Sequence, residues 1–257
     1  MWWHTFLIAY QTIVIREVRR FMRIWMQTVL PSAITTVLYF VIFGKLIGER
    51  IGEMAGYRYL DYIVPGLVLM AVITNSYSNV VSSFFGSKFQ RNIEELLISP
   101  VPNWIILAGY VSGGLARGLI VGMVVLGISR IFTELSIASY GVTLAIFALT
   151  AVLFSLGGLM NAIFAKTFDD VSIVPTFVLT PLTYLGGVFY SITLLPDFWQ
   201  TVSLANPILY MVNAFRYGLL GTSDIDIRIA FAMISGFIAV LTAASLYLLN
   251  RGYGIKS

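Results

Sequence analysis

The stretch that decides the fold is Ser87-Lys-Phe-Gln-Arg-Asn-Ile-Glu-Glu-Leu-Leu-Ile-Ser-Pro-Val-Pro102, a charged segment between two long apolar runs. Ser87 followed three residues later by Gln90 is typical of a capping box, which bonds the free amides at the start of a helix. Pro100 and Pro102 predict its end, because proline has no amide hydrogen for the helix ladder. Apolar residues at helical spacing predict one buried face, made of Phe89, Ile93, Leu96 and Leu97. The pattern therefore predicts a short amphipathic helix, which is either a solvated helix on the lipid surface or a docking element for another protein.

The composition is that of a membrane protein. Of the 257 residues, 58% are hydrophobic and 11% are charged, whereas soluble domains average about half and about a quarter. There is no cysteine and only one histidine, His4, so thiolate and histidine metal sites are excluded. The sequence has no G-x-x-x-x-G-K-[S/T] phosphate loop, so the chain does not bind ATP in that way. The basic residues flank the apolar runs, which suits membrane topology and not nucleic-acid binding.

Six runs are long enough to cross a bilayer, which takes about 20 apolar residues. We predict an all-α membrane protein in one transmembrane domain, with spans at 24–47, 62–85, 104–130, 140–165, 172–190 and 228–249. Residues 1–23 predict an interfacial amphipathic helix, because the apolar run is short and precedes its arginines. The segment 191–227 is rich in aromatic residues and is broken by Pro196 and Pro207. It predicts two short re-entrant or interfacial helices.

The distribution of lysine and arginine predicts the orientation. An even number of spans places both termini on one side, together with nine cations: Arg16, Arg19, Arg20, Arg23, Lys88, Arg91, Lys166, Arg251 and Lys256. The opposite side carries six: Lys45, Arg50, Arg58, Arg130, Arg216 and Arg228. By the positive-inside rule, both termini and the 87–102 segment are expected in the cytoplasm.

Several polar residues fall within predicted spans. Arg117 lies near the middle of the third span, where a charge costs several kcal/mol unless water or a partner compensates it. It lines a cavity or, alternatively, is a structural arginine bonded to backbone carbonyls. The hydroxyl and amide residues of the second and fifth spans either line a pathway or hydrogen-bond between helices. Gly114, Gly118 and Gly122, four residues apart, predict a ridge that another helix can approach closely.

Three further patterns carry a resemblance to a known family. They are the N-terminal helix with Arg16-Glu17 and Arg19-Arg20, the stretch Arg91-Asn-Ile-Glu-Glu-Leu-Leu-Ile-Ser-Pro-Val101, and Pro181-Leu-Thr-Tyr-Leu-Gly-Gly-Val-Phe-Tyr190 followed by Leu195-Pro196, Asn206-Pro207 and Ala214-Phe-Arg216-Tyr-Gly218. Over its whole length the chain resembles the permease subunit of ATP-binding cassette transporters of the type-2 export family, as found in bacterial inner membranes.

The resemblance implies a homodimer of six-span subunits in the lipid of the inner membrane, with two copies of a cytoplasmic ATPase subunit. ATP and magnesium would bind in that partner, and this chain would carry no cofactor and no enzymatic activity. Segment 87–102 would be the coupling helix, and 191–222 would form outer re-entrant helices. The implied ATPase-coupling residues are Phe89, Gln90, Arg91, Asn92, Glu94, Glu95, Arg16, Glu17, Arg20, Lys166, Asp169 and Asp170.

The same resemblance implies export by alternating access of an amphiphile, which would be a lipid, a glycolipid or polysaccharide, or a hydrophobic drug. The candidate residues of the path are Asn75, Asn79, Phe84, Phe85, Arg117, Thr176, Thr180, Thr183, Tyr184, Phe189 and Tyr190. The alternative is a secondary transporter or channel without an ATPase. A membrane enzyme is disfavoured because catalytic groups are missing from the spans.

Overall fold

In the computed structural model the backbone of residues 2–254 is described, with their side chains except those of Trp2, Lys45, Leu46, Glu94, Glu95 and Leu97. The helices are α1 (Trp2–Arg23), α2 (Trp25–Val41), α3 (Glu49–Ile51), α4 (Tyr59–Phe89), α5 (Asn92–Ile98), α6 (Asn103–Phe132), α7 (Tyr140–Phe164), α8 (Phe168–Val174), α9 (Thr180–Leu185), α10 (Asp197–Leu204), α11 (Pro207–Leu220) and α12 (Ile227–Arg251). Two π-helical segments, Ile42–Gly48 and Pro175–Leu179, and a 3₁₀ turn, Ile192–Leu194, complete the helical structure of these residues. The strands β1 (Glu53–Met54) and β2 (Tyr57–Arg58) form a small antiparallel hairpin.

The all-α membrane class is confirmed. Within the described residues, five helices are long and apolar enough to cross a membrane, namely Trp25–Ile51, Tyr59–Phe89, Asn103–Phe132, Tyr140–Phe164 and Ile227–Arg251. The predicted span 172–190 is instead a helical segment at 168–185, built from α8, the π-helical Pro175–Leu179 and α9. Proline lacks an amide hydrogen, so Pro175 and Pro181 interrupt the regular ladder there and the segment is not one α-helix.

The bundle has two ends, which we call proximal and distal. The proximal end holds α1, α5 and the C-terminal ends of α4 and α7, and the distal end holds the hairpin and α11. The 168–185 segment joins the two ends. Its first residue, Phe168, packs against Phe85 of α4 with 5.0 Å between ring centroids. Near its other end, Leu182 accepts a hydrogen bond of 2.6 Å from Asn206 beside α11.

Helix α4 is the centre of the bundle and packs against α6, α7 and α11. The interpretation of the α6 glycines as a packing ridge is confirmed. A Cβ at Gly118 would overlap Ser76 of α4, and a Cβ at Gly114 would overlap Ser155 of α7. Only residues without a side chain let three helix backbones approach this closely.

The predicted start of the coupling helix is wrong. Helix α4 continues through Ser87 to Phe89, and α5 begins only at Asn92, so Ser87 and Gln90 form no capping box. The boundary is a turn at Arg91, whose φ of +61° places it in the left-handed region that usually ends a helix at glycine. Because an arginine occupies that position, the sequence carries no glycine signal for this boundary. The end of α5 at Ile98, before Pro100, agrees with the prediction.

The apolar face predicted for the coupling helix is only partly present. Ile93 is buried and Leu96 packs against the core, but Phe89 is 62% exposed and belongs to α4. Its ring contacts Phe168 instead, with a centroid distance of 5.0 Å. Leu97 lies outside the described side chains. The seven-residue helix is thus shorter than predicted, because α4 takes the first residues of the segment.

The segment 191–227 forms two helices at the distal end, as its prolines predict. Pro196 precedes α10 and Pro207 opens α11. Helix α11 is buried on almost every side, whereas α10 exposes Phe198 and Trp199. One residue that we counted as a loop cation, Arg216, is in fact buried in α11. Sequence position alone did not reveal this, because arginine more often remains at a surface.

Candidate functional site

Helix α4 is buried on almost every side, and its accessible strip is polar. Thr74 and Ser82 are exposed and Ser78 is half-buried, and these residues are four apart. Residues four apart lie above one another on a helix, so the three hydroxyls form a line about 12 Å long. This line is the floor of a groove along α4, with one wall on each side.

The first wall of the groove is α2. A cavity of about 240 Å³ lies between α2 and α4, slightly below the roughly 300 Å³ at which ligand pockets begin. Asn75 ties the two helices together, because its Nδ2 donates to Ser32 Oγ at 3.1 Å. The cavity is lined by Pro31, Ser32, Thr35, Thr36, Tyr39, Leu67, Met70, Ala71, Thr74 and Asn75.

The second wall is the 168–185 segment. A smaller cavity of about 70 Å³ separates it from α4, lined by Met70, Thr74, Tyr77, Ser78, Pro175, Leu179, Thr180 and Thr183. Thr180 Oγ1 donates to the carbonyl of Pro175 at 2.9 Å, five residues earlier, which helps to satisfy the irregular backbone. Such π-helical segments occur frequently at functional sites, because they interrupt the regular ladder.

The two walls meet at the distal end in a cluster of four aromatic rings. Tyr39 belongs to the first wall and Tyr184 to the second, and Phe43 and Phe189 come from the segments that follow each wall. Phe189 lies at the centre of the cluster, with ring centroids 5.0 Å from Phe43, 5.5 Å from Tyr39 and 6.1 Å from Tyr184. These separations are typical of packed aromatic pairs. The rings therefore close the groove at its distal end.

At the proximal end, α1 crosses α6 and α4 and is held there by a polar network. Glu17 is completely buried, and its carboxylate accepts a hydrogen bond from Ser83 Oγ at 2.7 Å. Arg20 Nη2 lies 3.4 Å from the same carboxylate and donates to Asn79 Oδ1 at 2.8 Å. Arg16 donates to the hydroxyl of Tyr110 on α6 at 2.7 Å. Because buried charges are stable only when paired and hydrogen-bonded, this network fixes where α1 sits.

Arg117 enters the same region from α6. Its Nε donates to Asn75 Oδ1 at 3.3 Å, so the guanidinium lies directly behind an amide that lines the groove. Within the described part of the chain, no carboxylate forms an ion pair with Arg117. Its side chain is partly exposed. Among the described residues, Arg117 bonds this amide oxygen and no backbone carbonyl.

The segment 87–102 is attached to the bundle through Lys88. In the last turn of α4, Lys88 Nζ donates to the carbonyls of Ile163 and Ala165 at 2.8 and 2.7 Å. These carbonyls lie at the C-terminal end of α7, where a cation is favourable. The same link joins the coupling segment to the loop that follows α7.

That loop is capped by Asp170. Its carboxylate accepts the amide hydrogens of Lys166 at 2.9 Å and of Thr167 at 3.0 Å, and Thr167 Oγ1 accepts the Asp170 amide in return. This is a reciprocal capping box at the start of α8. The amides of Lys166 and Thr167 lower the pKa of the Asp170 carboxyl below its usual range, because they favour the charged form.

Comparison with known proteins assigns the family. The family described as "ABC-2 type transporter" matches residues 8–220 of the chain. The chain belongs to this family. The permease is 57% identical over 254 residues to the inner membrane transport permease YadH of Escherichia coli K12, with 99% of each chain covered. It is also similar to nodulation protein J of Sinorhizobium fredii, at 22% identity over 76% of this chain and 75% of that protein.

The structure of this ABC-2 permease brings several predicted path residues together. Asn75, Thr180 and Thr183 line the groove, and Tyr184 and Phe189 close it. Arg117 and Asn79 lie next to the groove. Arg117 donates to Asn75, and Asn79 accepts a hydrogen bond from Arg20.

Other predicted path residues do not line either cavity of the groove. Phe84 and Phe85 are buried in the core, where Phe84 packs against Tyr110. Thr176 is exposed beside the π-helical turn, and Tyr190 donates its hydroxyl hydrogen to the Tyr184 carbonyl. Phe84 and Phe85 were chosen for their position near the end of a span, but consecutive helical residues point in different directions.

Most of the predicted coupling residues are either exposed at the proximal end or bonded within the bundle. Gln90, Arg91, Asn92, Lys166 and Asp169 are exposed at the proximal end, where a partner could contact them. Glu17 faces the bundle interior and is inaccessible to a partner, and Arg20 is largely occupied by Asn79 and Glu17. The side chains of Glu94 and Glu95 lie outside the described part of the structure.

Sequence reasoning missed the first wall of the groove. Ser32, Thr35 and Tyr39 are spaced three and four apart within an otherwise apolar span. This spacing places them on one face of α2 and is the signal that could have revealed them.

Proposed function

We propose that the chain is the transmembrane subunit of an ATP-driven exporter, which moves an amphiphile out of the cytoplasm by alternating access. The observation that carries this proposal is the shape of the groove along α4. Four aromatic rings lie at its distal end, and its polar floor runs as far as the exposed Ser82 towards the proximal end. A path that is closed at one end and accessible at the other is one of the two states that alternating access requires.

The proposed orientation places the proximal end in the cytoplasm and the distal end outside the inner membrane. Arg216 is buried and no longer counts as a loop cation, which widens the excess of cations on the proximal side. In this proposal residues 171–185 of that segment are the sixth crossing, and Asp169 and Asp170 lie before it at the proximal surface. At 1.5 Å per residue these 15 residues would span about 22 Å, most of the thickness of the hydrocarbon core.

The proposed partner is a cytoplasmic ATPase subunit, present in two copies, which would bind ATP and magnesium. Members of the ABC-2 family typically pair with such a subunit, and the YadH relative is named a transport permease. The docking surface would be α5 and its flanking turn, with the exposed Arg91 and Asn92, together with the loop at Lys166 and Asp169. Lys88 would pass a movement of this surface to α7 as a rigid-body displacement.

A homodimer belongs to the same proposal. The first crossing, Trp25–Ile51, is the least buried of the long apolar helices, and it exposes apolar residues such as Leu30, Ile34 and Leu38. A second copy facing this helix would enclose the groove between two subunits. Membrane lipid would cover the remaining apolar surface.

The test is to co-express the chain with a candidate ATP-binding cassette ATPase, purify the complex and measure ATP hydrolysis in proteoliposomes. We expect a stoichiometric complex, and Arg91→Glu should lower the permease-dependent hydrolysis roughly tenfold, the effect of losing one contact of about 1.4 kcal/mol. Arg91→Lys is the matched control, because it keeps both the charge and the left-handed backbone position.

Arg91→Gly tests the contribution of the side chain separately from that of the left-handed backbone conformation. Glycine relieves the left-handed strain, so this variant should fold at least as well as the wild type while it shows the reduced hydrolysis. Transport that proceeds without any ATPase would instead favour a secondary transporter or a channel. Unchanged hydrolysis in Arg91→Glu would exclude the turn as a docking site.

A further inference from the structure

The junction of α1, α4 and α6 carries more positive charge than its carboxylate can balance. Two guanidinium groups, those of Arg16 and Arg20, lie against the carboxylate of Glu17. A third, that of Arg117, bonds Asn75, one turn of α4 away from the Asn79 that Arg20 bonds. The Glu17 oxygens lie 3.3 Å from Arg16 and 3.4 Å from Arg20, and Ser83 donates a further hydrogen bond. Glu17 is therefore fully engaged, and Arg117 makes no ion pair with the described residues.

Two of these guanidinium groups are held on successive turns of one helix. Arg20 bonds Asn79 and Arg117 bonds Asn75, and the two asparagines are one turn apart on α4. The two asparagines that anchor these guanidinium groups are therefore offset by about 6 Å along the axis of α4. Two cations held on neighbouring turns in a low-dielectric environment attract an anion strongly.

Hydrogen-bond donors are also in surplus at this junction. Among the described residues, Arg20 Nε and Asn79 Nδ2 are buried without a hydrogen-bond acceptor. Arg117 makes a single hydrogen bond, through Nε, so neither of its Nη atoms bonds a described residue. Guanidinium groups recognise phosphate and carboxylate oxygens with two parallel hydrogen bonds, for which both Nη atoms are suited.

The cavity between α2 and α4 begins at the same asparagine. Asn75 contributes one polar wall, and Leu67, Met70 and Ala71 contribute an apolar one. The cavity extends from Asn75 towards Tyr39 in the distal aromatic cluster. Arg117 lines neither cavity itself and reaches this one through its hydrogen bond to Asn75, so a charged head group would lie beside Asn75 with an apolar tail in the cavity.

We propose that this groove selects an amphiphile with an anionic, phosphate-type head group, held by Arg117 at Asn75, with its apolar tail in the cavity between α2 and α4. The inference rests on the proposed function only in treating the groove as the substrate path. It narrows the substrate class from any amphiphile to an anionic one, and it adds Arg117 as the residue that sets this specificity.

The experiment measures lipid binding to the purified full-length chain in uncharged detergent, without ATP or an ATPase. The probes are a short-chain phosphatidic acid, the diacylglycerol with the same acyl chains, and inorganic phosphate. We expect phosphatidic acid to bind roughly tenfold more tightly than diacylglycerol, as one charge-assisted hydrogen-bond pair implies. Inorganic phosphate alone should bind more weakly than phosphatidic acid, because it has no tail.

Arg117→Gln should reduce the preference for phosphatidic acid to roughly twofold or less, since it removes the charge. Arg117→Lys, which keeps the charge, should retain part of the preference and also shows that the position tolerates substitution. The matched control is Arg130→Gln, an exposed arginine at the other end of α6, which should behave as the wild type. Ala71→Phe fills the cavity and should weaken the binding of both lipids equally.

Equal binding of the two lipids by the wild type would overturn the proposal, as would an unchanged preference in Arg117→Gln. Inorganic phosphate that binds as tightly as phosphatidic acid would reduce the site to one for a free anion and would overturn the role of the tail. Because no step of this experiment uses ATP, its failure leaves the ATP-driven function untouched. Conversely, a chain that binds phosphatidic acid but never associates with an ATPase would remove the proposed function alone.

Discussion

Arg117 and Arg216 are both arginines within the body of the bundle, and neither is paired with a carboxylate among the described ion pairs. Their surroundings differ completely. Arg216 is 1% exposed, its Nη2 donates to the Gly187 carbonyl at 2.7 Å, and its guanidinium lies 3.9 Å from the centre of the Tyr62 ring. Arg117 is partly exposed and makes one hydrogen bond of 3.3 Å.

This difference separates a structural arginine from one that is available to a ligand. Arg216 connects α11 to α4 and to the turn at Gly187, so its hydrogen bonds and its ring contact stabilise the distal end. Arg117 uses one of its five N–H donors within the described structure. A cation within an apolar span that has unused donors costs free energy unless water or a binding partner compensates it, which makes it a functional candidate.

The largest expected effect comes from Arg216. Replacing it with methionine keeps much of the side-chain volume but removes the bond to the Gly187 carbonyl and the contact with Tyr62. We expect the free energy of unfolding to fall by about 3 kcal/mol, the sum of a charged hydrogen bond and a buried cation–π contact. Thermal unfolding in detergent measures it, with Arg117→Gln as the contrasting variant, which should lose far less stability. Equal losses of stability in the two variants would contradict the distinction between Arg216 and Arg117.

A smaller effect is expected at Gly118, next to Arg117 on α6. In Gly118→Ala the new Cβ would overlap Ser76 Oγ, so α6 would move away from α4 at a cost of about 2 kcal/mol. The matched control is Gly127→Ala on the same helix, where a Cβ meets no atom within 4 Å. Adding Ser76→Ala removes the overlapping hydroxyl and should restore part of the stability. If Gly118→Ala were as stable as Gly127→Ala, the close packing that positions Arg117 would not be required.

The smallest effect concerns an exposed charged group, Asp170. Hydrogen bonds lower its pKa in the folded state, so its contribution to stability is present above the ordinary pKa of aspartate, about 3.9, and is lost as the pH falls through the lower folded value. We expect the thermal midpoint of the wild type to decrease slightly in that acidic range. Asp170→Asn should lower the midpoint at neutral pH and remove this part of its pH dependence.

Asp169→Asn is the control for that measurement, because Asp169 is exposed and accepts no hydrogen bond from the described residues. It should keep the pH dependence of the wild type. The same acid sensitivity in Asp170→Asn would show that the capping box of α8 does not contribute to it.

The long elements were predictable from the sequence, and their ends were not. Runs of about 20 apolar residues identified the five helices that are long enough to cross a membrane, since a helix satisfies its backbone hydrogen bonds within one such run. The boundary between α4 and α5 was missed, because Arg91 adopts a conformation that normally signals itself through glycine. The π-helical turn at Pro175–Leu179 was missed because hydropathy carries no information on hydrogen-bond register.

The candidate site was predicted in part. The polar residues of α4 and of the 168–185 segment were predicted as a group, because polar side chains in an apolar span require a reason, and several of them line one groove in the structure. The part played by α2 was missed, although Ser32, Thr35 and Tyr39 lie on one face. Glu17 was predicted to face a partner, but it is buried, because its carboxylate is satisfied by residues distant in sequence, such as Ser83.

The sequence by itself determined that this chain is a helical membrane protein, because the apolar surface of its long runs can be buried only in lipid or against one another. It also indicated the family, through motifs whose residues are each close together in sequence. Only the tertiary structure decided which arginine is buried against fixed partners and which is partly exposed with donors available. That distinction depends on Gly187 and Tyr62 approaching Arg216 from distant parts of the chain, while Arg117 meets Asn75 at the edge of a groove.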